Sequence, residues 1–227
     1  MATTESKAGP SLVTPAVMPG EAADYFSFFG LPRKLNIDVA HLEKEFYQLS
    51  RRLHPDLYAQ ANASEQQWSL EQSSRLNDAY RSLKDPIRRT EYLLRLEGVE
   101  LEEQSKSATE KARAAGEIKK QVVPPDLLEE VFELNMQMEE LRANKKLGED
   151  DPALVKELEG HKTQFEQKFE ALAQELRGLW NEWDRVVDSG HEEDRRKVRD
   201  QMVDLLNRRS YIRNLVRDVN EAMESSS

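Results

Sequence analysis

Residues 53–57 read Leu-His-Pro-Asp-Leu, and they stand where a strongly patterned helix must end. The apolar residues before them recur at steps of three, four, three and four, which is typical of one face of an amphipathic helix. They are Val39, Leu42, Phe46, Leu49 and Leu53. Asp38 is a suitable N-cap, and Pro55 cannot continue a helix and disfavours helical geometry at the residue before it. We therefore predict that this helix ends at His54.

Further helices are predicted on both sides of this one. Asp24 is a plausible N-cap for the apolar run 25–29, and a third helix is expected from Ser64 to Leu83, followed by another from Pro86 to Gly98. The residues of the third helix that should face inward are Leu76, Ala79, Tyr80 and Leu83. This part of the chain is expected to be a helical hairpin with a connecting helix.

Three long helices are predicted beyond Pro124-Pro125, with breaks near Gly148 and Gly190. The first has an apolar seam of Leu127, Val131, Leu134, Met138 and Leu141, and the second carries Trp180 and Trp183 as expected core residues. The seam of the last is Val198, Met202, Leu205, Ile212, Val216, Val219 and Met223. Such spacing favours shallow-angle packing, so we predict an antiparallel three-helix bundle, with an extended coiled coil as the alternative.

The predicted organisation is all-α. It comprises a disordered tail (1–23), a hairpin domain (24–97), a linker (98–123), a C-terminal bundle (124–223) and a short tail (224–227).

Composition excludes several classes of function. The 227 residues include no cysteine, so a disulfide scaffold, a thiolate zinc site and a protein-held iron–sulfur cluster are excluded. Four scattered histidines offer no ligand spacing, and we predict neither metal nor cofactor. A net charge of −10 argues against nucleic acid and anionic membranes as partners. With no signal-peptide core and no spanning segment, a cytoplasmic protein is expected.

His54-Pro55-Asp56 has three possible interpretations. A catalytic pair is a poor one, since a proline separates the two residues and no nucleophile is near. A simple helix stop is reasonable, because proline and aspartate are ordinary turn residues. The third interpretation is a contact point for another protein.

The setting of the tripeptide favours the third interpretation. An aromatic opening, an amphipathic helix with basic residues, His-Pro-Asp in the loop, and a helix carrying Asn77-Asp78-Ala79-Tyr80 and Leu83 together resemble the J-domain of DnaJ-type co-chaperones over residues 24–84. Leu57 departs from the lysine that many J-domains place there. The resemblance implies that His54, Pro55 and Asp56 contact a DnaK-type chaperone, with Asp56 accepting a bidentate bond from an arginine. It also implies that Lys44, Arg51 and Arg52 dock on an acidic part of the chaperone, although a solvated helix surface is the simpler alternative.

The segment after the J-domain narrows the resemblance. Residues 88–96, Arg-Arg-Thr-Glu-Tyr-Leu-Leu-Arg-Leu, lead into a helical bundle, an arrangement similar to the HscB/Jac-type co-chaperones of iron–sulfur cluster assembly. This resemblance implies a chain that stimulates ATP hydrolysis by an HscA/DnaK-type chaperone and delivers the scaffold protein IscU to it. It also implies that the chain is not itself an enzyme.

A second apolar stripe on the first bundle helix is a candidate client surface. Leu128, Phe132 and Met136 lie off the core seam at four-residue spacing, with Glu133 beside them, and Tyr211 lies off the seam of the last helix. The family places its scaffold-binding patch at matching positions, although Met136 departs from an acidic position in some relatives. The alternative is that these residues pack on the J-domain or on a second subunit.

A monomer or weak homodimer is expected, and the alternative functions are a J-protein for another client, with the bundle as a dimerisation arm, or a structural coiled-coil adaptor with a degenerate J-like domain.

Overall fold

The computed structural model describes residues 24–99, 101 and 123–224, and every regular element within these ranges is a helix. The elements of the first part are α1 (Tyr25–Phe28), α2 (Val39–Leu53), a short 3-10 helix (Pro55–Tyr58), α3 (Ala63–Lys84) and α4 (Pro86–Leu96). A second 3-10 helix (Pro125–Leu127) precedes α5 (Leu128–Leu147), α6 (Pro152–Ser189) and α7 (Glu192–Glu224). The predicted all-α fold is confirmed. None of the described helices combines the length and the apolar character needed to cross a membrane.

The chain divides into two compact units, residues 1–92 and 93–227, and the division falls inside α4. The domain limits expected from the sequence, 24–97 and 124–223, stay predictions. The predicted N-terminal tail, and nearly all of the predicted linker and C-terminal tail, lie outside the described residues. Each unit has its own set of buried apolar side chains.

Aspartate caps define the starts of α1 and α2. The Asp24 carboxylate accepts a hydrogen bond from the Ser27 N–H at 2.8 Å and another from Arg33 Nε at 2.7 Å. Burial alone raises the pKa of Asp24, but these two donors outweigh it and hold the pKa below the ordinary value of an aspartate. Asp38 Oδ1 accepts the N–H groups two and three residues later, at 2.9 and 3.0 Å. Both predicted N-caps are confirmed.

The first unit buries the facing stripes of α2 and α3 together with α1. Its buried apolar residues include Phe26, Phe28, Phe29, Leu35, Leu42, Leu53, Leu76, Ala79 and Leu83. Tyr80 is half-buried and stacks on Phe46 with ring centroids 4.1 Å apart. Val39, the first residue of α2, is exposed and does not share in this core.

The second unit is the predicted three-helix bundle. All five residues of the first predicted seam are buried, Leu127 in the 3-10 helix and the other four on α5. They share one core with Leu154, Leu158, Phe165 and Leu172 of α6 and with Tyr211, Ile212, Leu215, Val219 and Ala222 of α7. Gly148 ends α5 and Gly190 ends α6, both at φ +73°, where a side chain is strained. Trp180 and Trp183 are buried, as predicted.

Candidate functional site

The corner after α2 is held in shape by the backbone and side chain of one histidine. Pro55 has no N–H, so the helical hydrogen-bond pattern cannot continue through it. His54 Nδ1 accepts a hydrogen bond from the Asp56 N–H at 3.3 Å, and the His54 carbonyl accepts one from the Leu57 N–H at 3.0 Å. The backbone bond closes the first turn of the 3-10 helix Pro55–Tyr58, and the side-chain bond caps its start. His54 is thus a capping residue whose Nδ1 lone pair is already engaged.

Asp56 projects from this turn into solvent. Its side chain is 89% exposed, and His54 Nδ1 lies 3.5 Å from Asp56 Oδ2. The carboxylate can therefore accept a bidentate bond from an arginine of another protein. The neighbouring Leu57 is also exposed.

Two serines of α3 hold the end of α2 in place. Ser69 Oγ donates a hydrogen bond to the Leu53 carbonyl at 2.7 Å, and Ser73 Oγ donates to the same oxygen at 2.8 Å. Sequence reasoning missed both residues. The available signal was that two small hydroxyl residues, four apart, precede Leu76 and Ala79 on the inward face of α3, where apolar residues are normal.

The basic residues predicted to dock on a partner are accessible. Lys44, Arg51 and Arg52 are all exposed on α2, and the two arginines stand in its last turn, close in sequence to Asp56. Cations at a helix C-terminus also stabilise the helix through its dipole. The position of the arginines therefore suits a structural role and a binding role equally.

A continuous apolar stripe lies on the outer face of α5. Leu128, Phe132 and Met136 are 54%, 67% and 60% exposed, and Glu133 beside them is exposed as well. The seam residues on the other face of the same helix are buried. These four residues are therefore exposed, as expected from the sequence, and their role as a client surface stays a prediction.

Tyr211 does not belong to that exposed stripe, and the prediction that placed it there is wrong. Its side chain is 7% exposed and packs in the bundle core, where burial raises the pKa of the phenol above its ordinary value.

The reason is that the buried face of α7 shifts along the helix. In the first half the buried apolar residues are Val198, Met202 and Leu206, whereas in the second half they are Tyr211, Ile212, Leu215, Val219 and Ala222. At about 100° per residue these two sets lie on different sides of α7. Only the second set shares the core that α5 helps to form. Leu205 and Val216, predicted as seam residues, are only partly buried.

Arg209 explains why a single straight seam fails. It occupies the position between Leu205 and Ile212 on the predicted seam. Its guanidinium carbon lies 4.0 Å above the ring of Phe169 of α6. A cation stacked on an aromatic ring thus replaces an aliphatic core residue at this turn.

The chemistry that these groups support is binding. In the described part of the chain, no three or more His, Asp or Glu side chains are placed to hold a metal ion. The corner offers one exposed carboxylate and a basic helix end, and α5 offers an apolar stripe with an acidic neighbour. Both surfaces are suited to contacts with other proteins.

Known proteins resemble this chain in sequence over part of its length. A co-chaperone protein HscB homolog from Vibrio cholerae is 44% identical over 78 residues, which are 34% of this chain and 46% of the relative. One from Bordetella avium is 44% identical over 87 residues, covering 38% of this chain and 52% of the relative. The chain thus spans about half the length of the curated relatives it matches. No family model matches the sequence.

Solved structures resemble the chain over most of its length. The chaperone HscB from Vibrio cholerae has a TM-score of 0.55 at 25% identity, covering 88% of this chain and 98% of that one. The human co-chaperone protein HscB has a TM-score of 0.53 at 22% identity, covering 90% and 84%, and this likeness shows the fold alone. The resemblance expected from the sequence is confirmed.

Proposed function

We propose that this chain, which resembles HscB-type co-chaperones in sequence and in fold, is a J-type co-chaperone that acts in iron–sulfur cluster assembly. It stimulates ATP hydrolysis by an HscA/DnaK-type chaperone and delivers an IscU-type scaffold to it. The observation that carries the proposal is the hydrogen-bonded His54-Pro55-Asp56 turn with its carboxylate in open solvent.

The first step is docking on the chaperone. Arg51, Arg52 and Lys44 supply a positive helix face that steers the protein toward an acidic surface, so association is faster at low salt. Asp56 then accepts an arginine of the chaperone. A coupling free energy of ~1–3 kcal/mol between sites is typical and is enough to shift a nucleotide-hydrolysing conformation.

The protein itself performs no chemistry in this proposal. The His54 Nδ1 atom caps a backbone N–H, so it is engaged in shaping the turn, and Asp56 acts as a hydrogen-bond acceptor. The change is thus a population shift in the partner.

Asp56→Asn tests the chaperone step. Asparagine keeps the size of the side chain but loses the charge, so single-turnover ATP hydrolysis by the chaperone should fall to its unstimulated rate. Asp78→Asn is the matched control, because Asp78 is also an exposed aspartate of the first unit, on α3. Equal stimulation by wild type and Asp56→Asn would contradict the proposed mechanism.

The client step uses the apolar stripe of α5. Leu128 and Phe132 each contribute ~1.5–3 kcal/mol if a partner buries them fully, enough for a transient complex. Met136 extends the stripe and Glu133 adds a negative group. Tyr211 is excluded from this surface by its burial.

Leu128→Ala/Phe132→Ala tests the client step by titration of purified IscU. Wild type should bind at about tens of micromolar or tighter, and the double variant should bind at least about tenfold more weakly. Leu147→Ala is the control, since Leu147 is also an exposed leucine, at the other end of α5. If wild type and the double variant bind IscU alike, the α5 stripe is not the client site. If wild type stimulates the chaperone but does not bind IscU, the client is another protein.

A further inference from the structure

The end of α2 has an unusual hydrogen-bond requirement. In a continuing helix the Leu53 carbonyl would accept the Leu57 N–H, but that N–H donates to the His54 carbonyl. Leu53 is buried, so water does not readily replace the missing donor. The carbonyl therefore needs a donor from elsewhere in the fold.

Helix α3 supplies two such donors. Ser69 is fully buried and Ser73 is partly buried, and their hydroxyls stand one turn apart on α3. A carbonyl oxygen has two lone pairs, and the bonds of 2.7 and 2.8 Å use both. The serine pair thus fixes the atom from which the chain turns toward Asp56, three residues later.

The exit from the same turn is also held by α3. Gln66 Nε2 donates to the Ala59 and Ala61 carbonyls at 3.2 and 3.0 Å. The Tyr58 ring lies 5.8 Å from the ring of Trp68. One helix therefore controls where the turn begins and where it ends.

We propose that Ser69 and Ser73 are positioning residues for chaperone stimulation, acting through the Leu53 carbonyl to aim the Asp56 carboxylate. This inference rests on the proposed role of Asp56. A bidentate bond between a carboxylate and an arginine depends on the orientation of the two groups. If the turn can change its orientation, this bond is weakened even though Asp56 is still present.

The test combines single and double substitutions. In Ser69→Ala or Ser73→Ala the carbonyl keeps one donor, so maximal stimulation of ATP hydrolysis should fall no more than about twofold; the double variant leaves it without a donor, and stimulation should fall about fivefold or more. Ser73→Thr keeps the hydroxyl and should behave as wild type. Ser74→Ala is the matched control, because Ser74 is an exposed serine on the same helix.

Amide hydrogen exchange separates aiming from general stability. In the double variant the Asp56 and Leu57 amides should exchange faster, while amides at Leu76 and Leu83 in α3 and IscU binding by the second unit stay as in wild type. Uniformly faster exchange through α2 and α3 would show a merely structural role and overturn the proposal. Wild-type stimulation by the double variant would overturn it too.

Two further results keep the inference separate from the proposed function. If wild type and Asp56→Asn stimulate alike, the proposed function fails, whatever the serine variants do. If the double variant does not fold, Ser73→Ala and Ser73→Thr decide. Because Ser73→Ala removes one of the two donors, its Asp56 amide should exchange up to about twofold faster than in wild type, while Ser73→Thr should match wild type; equal exchange in the two variants overturns the proposal.

Discussion

Phe132 and Tyr211 are two aromatic residues of the second unit, and the sequence places each beside an apolar seam of its helix. In the structure Phe132 is largely exposed and Tyr211 is buried. The hydropathy pattern around a residue does not separate these cases, since both stand beside seam residues. Because Phe132 is exposed, the free protein gains little stability from burying this large apolar side chain. Exposed apolar residues of this kind are typical of surfaces that bind a partner.

This difference in burial predicts that alanine substitution strongly lowers the stability at Tyr211 and barely changes it at Phe132. Tyr211→Ala removes a core aromatic and should lower the free energy of unfolding by ~3–5 kcal/mol. Phe132→Ala should leave it within about 0.5 kcal/mol, because little of that side chain is packed. Urea unfolding followed by circular dichroism measures both. Similar losses for the two variants would contradict the assigned burial.

At the scale of helices, caps and periodicity in the sequence predict the ends of α2 and α3 closely, but they do not predict the buried face of α7. Helix α2 has an aspartate N-cap at one end and a proline at the other, so its limits, Val39 and Leu53, are set within a few residues of chain. The predicted third helix, Ser64 to Leu83, differs from α3 by one residue at each end. The sequence predicts a single straight seam along α7. In the structure the buried face of α7 changes side from Tyr211 onward, where the helix joins the core that α5 helps to form.

At the scale of the whole molecule, the proposed chaperone surface lies in the first unit and the proposed client surface lies in the second. Joining two binding surfaces in one chain makes the second encounter intramolecular and raises its effective concentration. The proposed delivery of a client depends on this linkage, whatever the geometry of the two units.

Mixing two defective proteins tests that requirement. Asp56→Asn retains the client surface, and Leu128→Ala/Phe132→Ala retains the chaperone surface. In an equimolar mixture, ATP hydrolysis by the chaperone with IscU present should not exceed that of the second variant alone, because neither chain carries both surfaces. Wild-type stimulation by the mixture would contradict delivery by single chains and would instead indicate that two copies act together.

The sequence by itself determined the helices, the caps at Asp24 and Asp38, the turn at His54-Pro55-Asp56 and the exposed stripe of α5, because each of these depends on residues within about one or two helical turns. Only the tertiary structure decided that Ser69 and Ser73 hold a carbonyl 16 and 20 residues away. It also decided that Tyr211 is buried. Both outcomes depend on which helix lies against which face, and that is set by packing between elements distant in the chain, which periodicity along one helix does not encode.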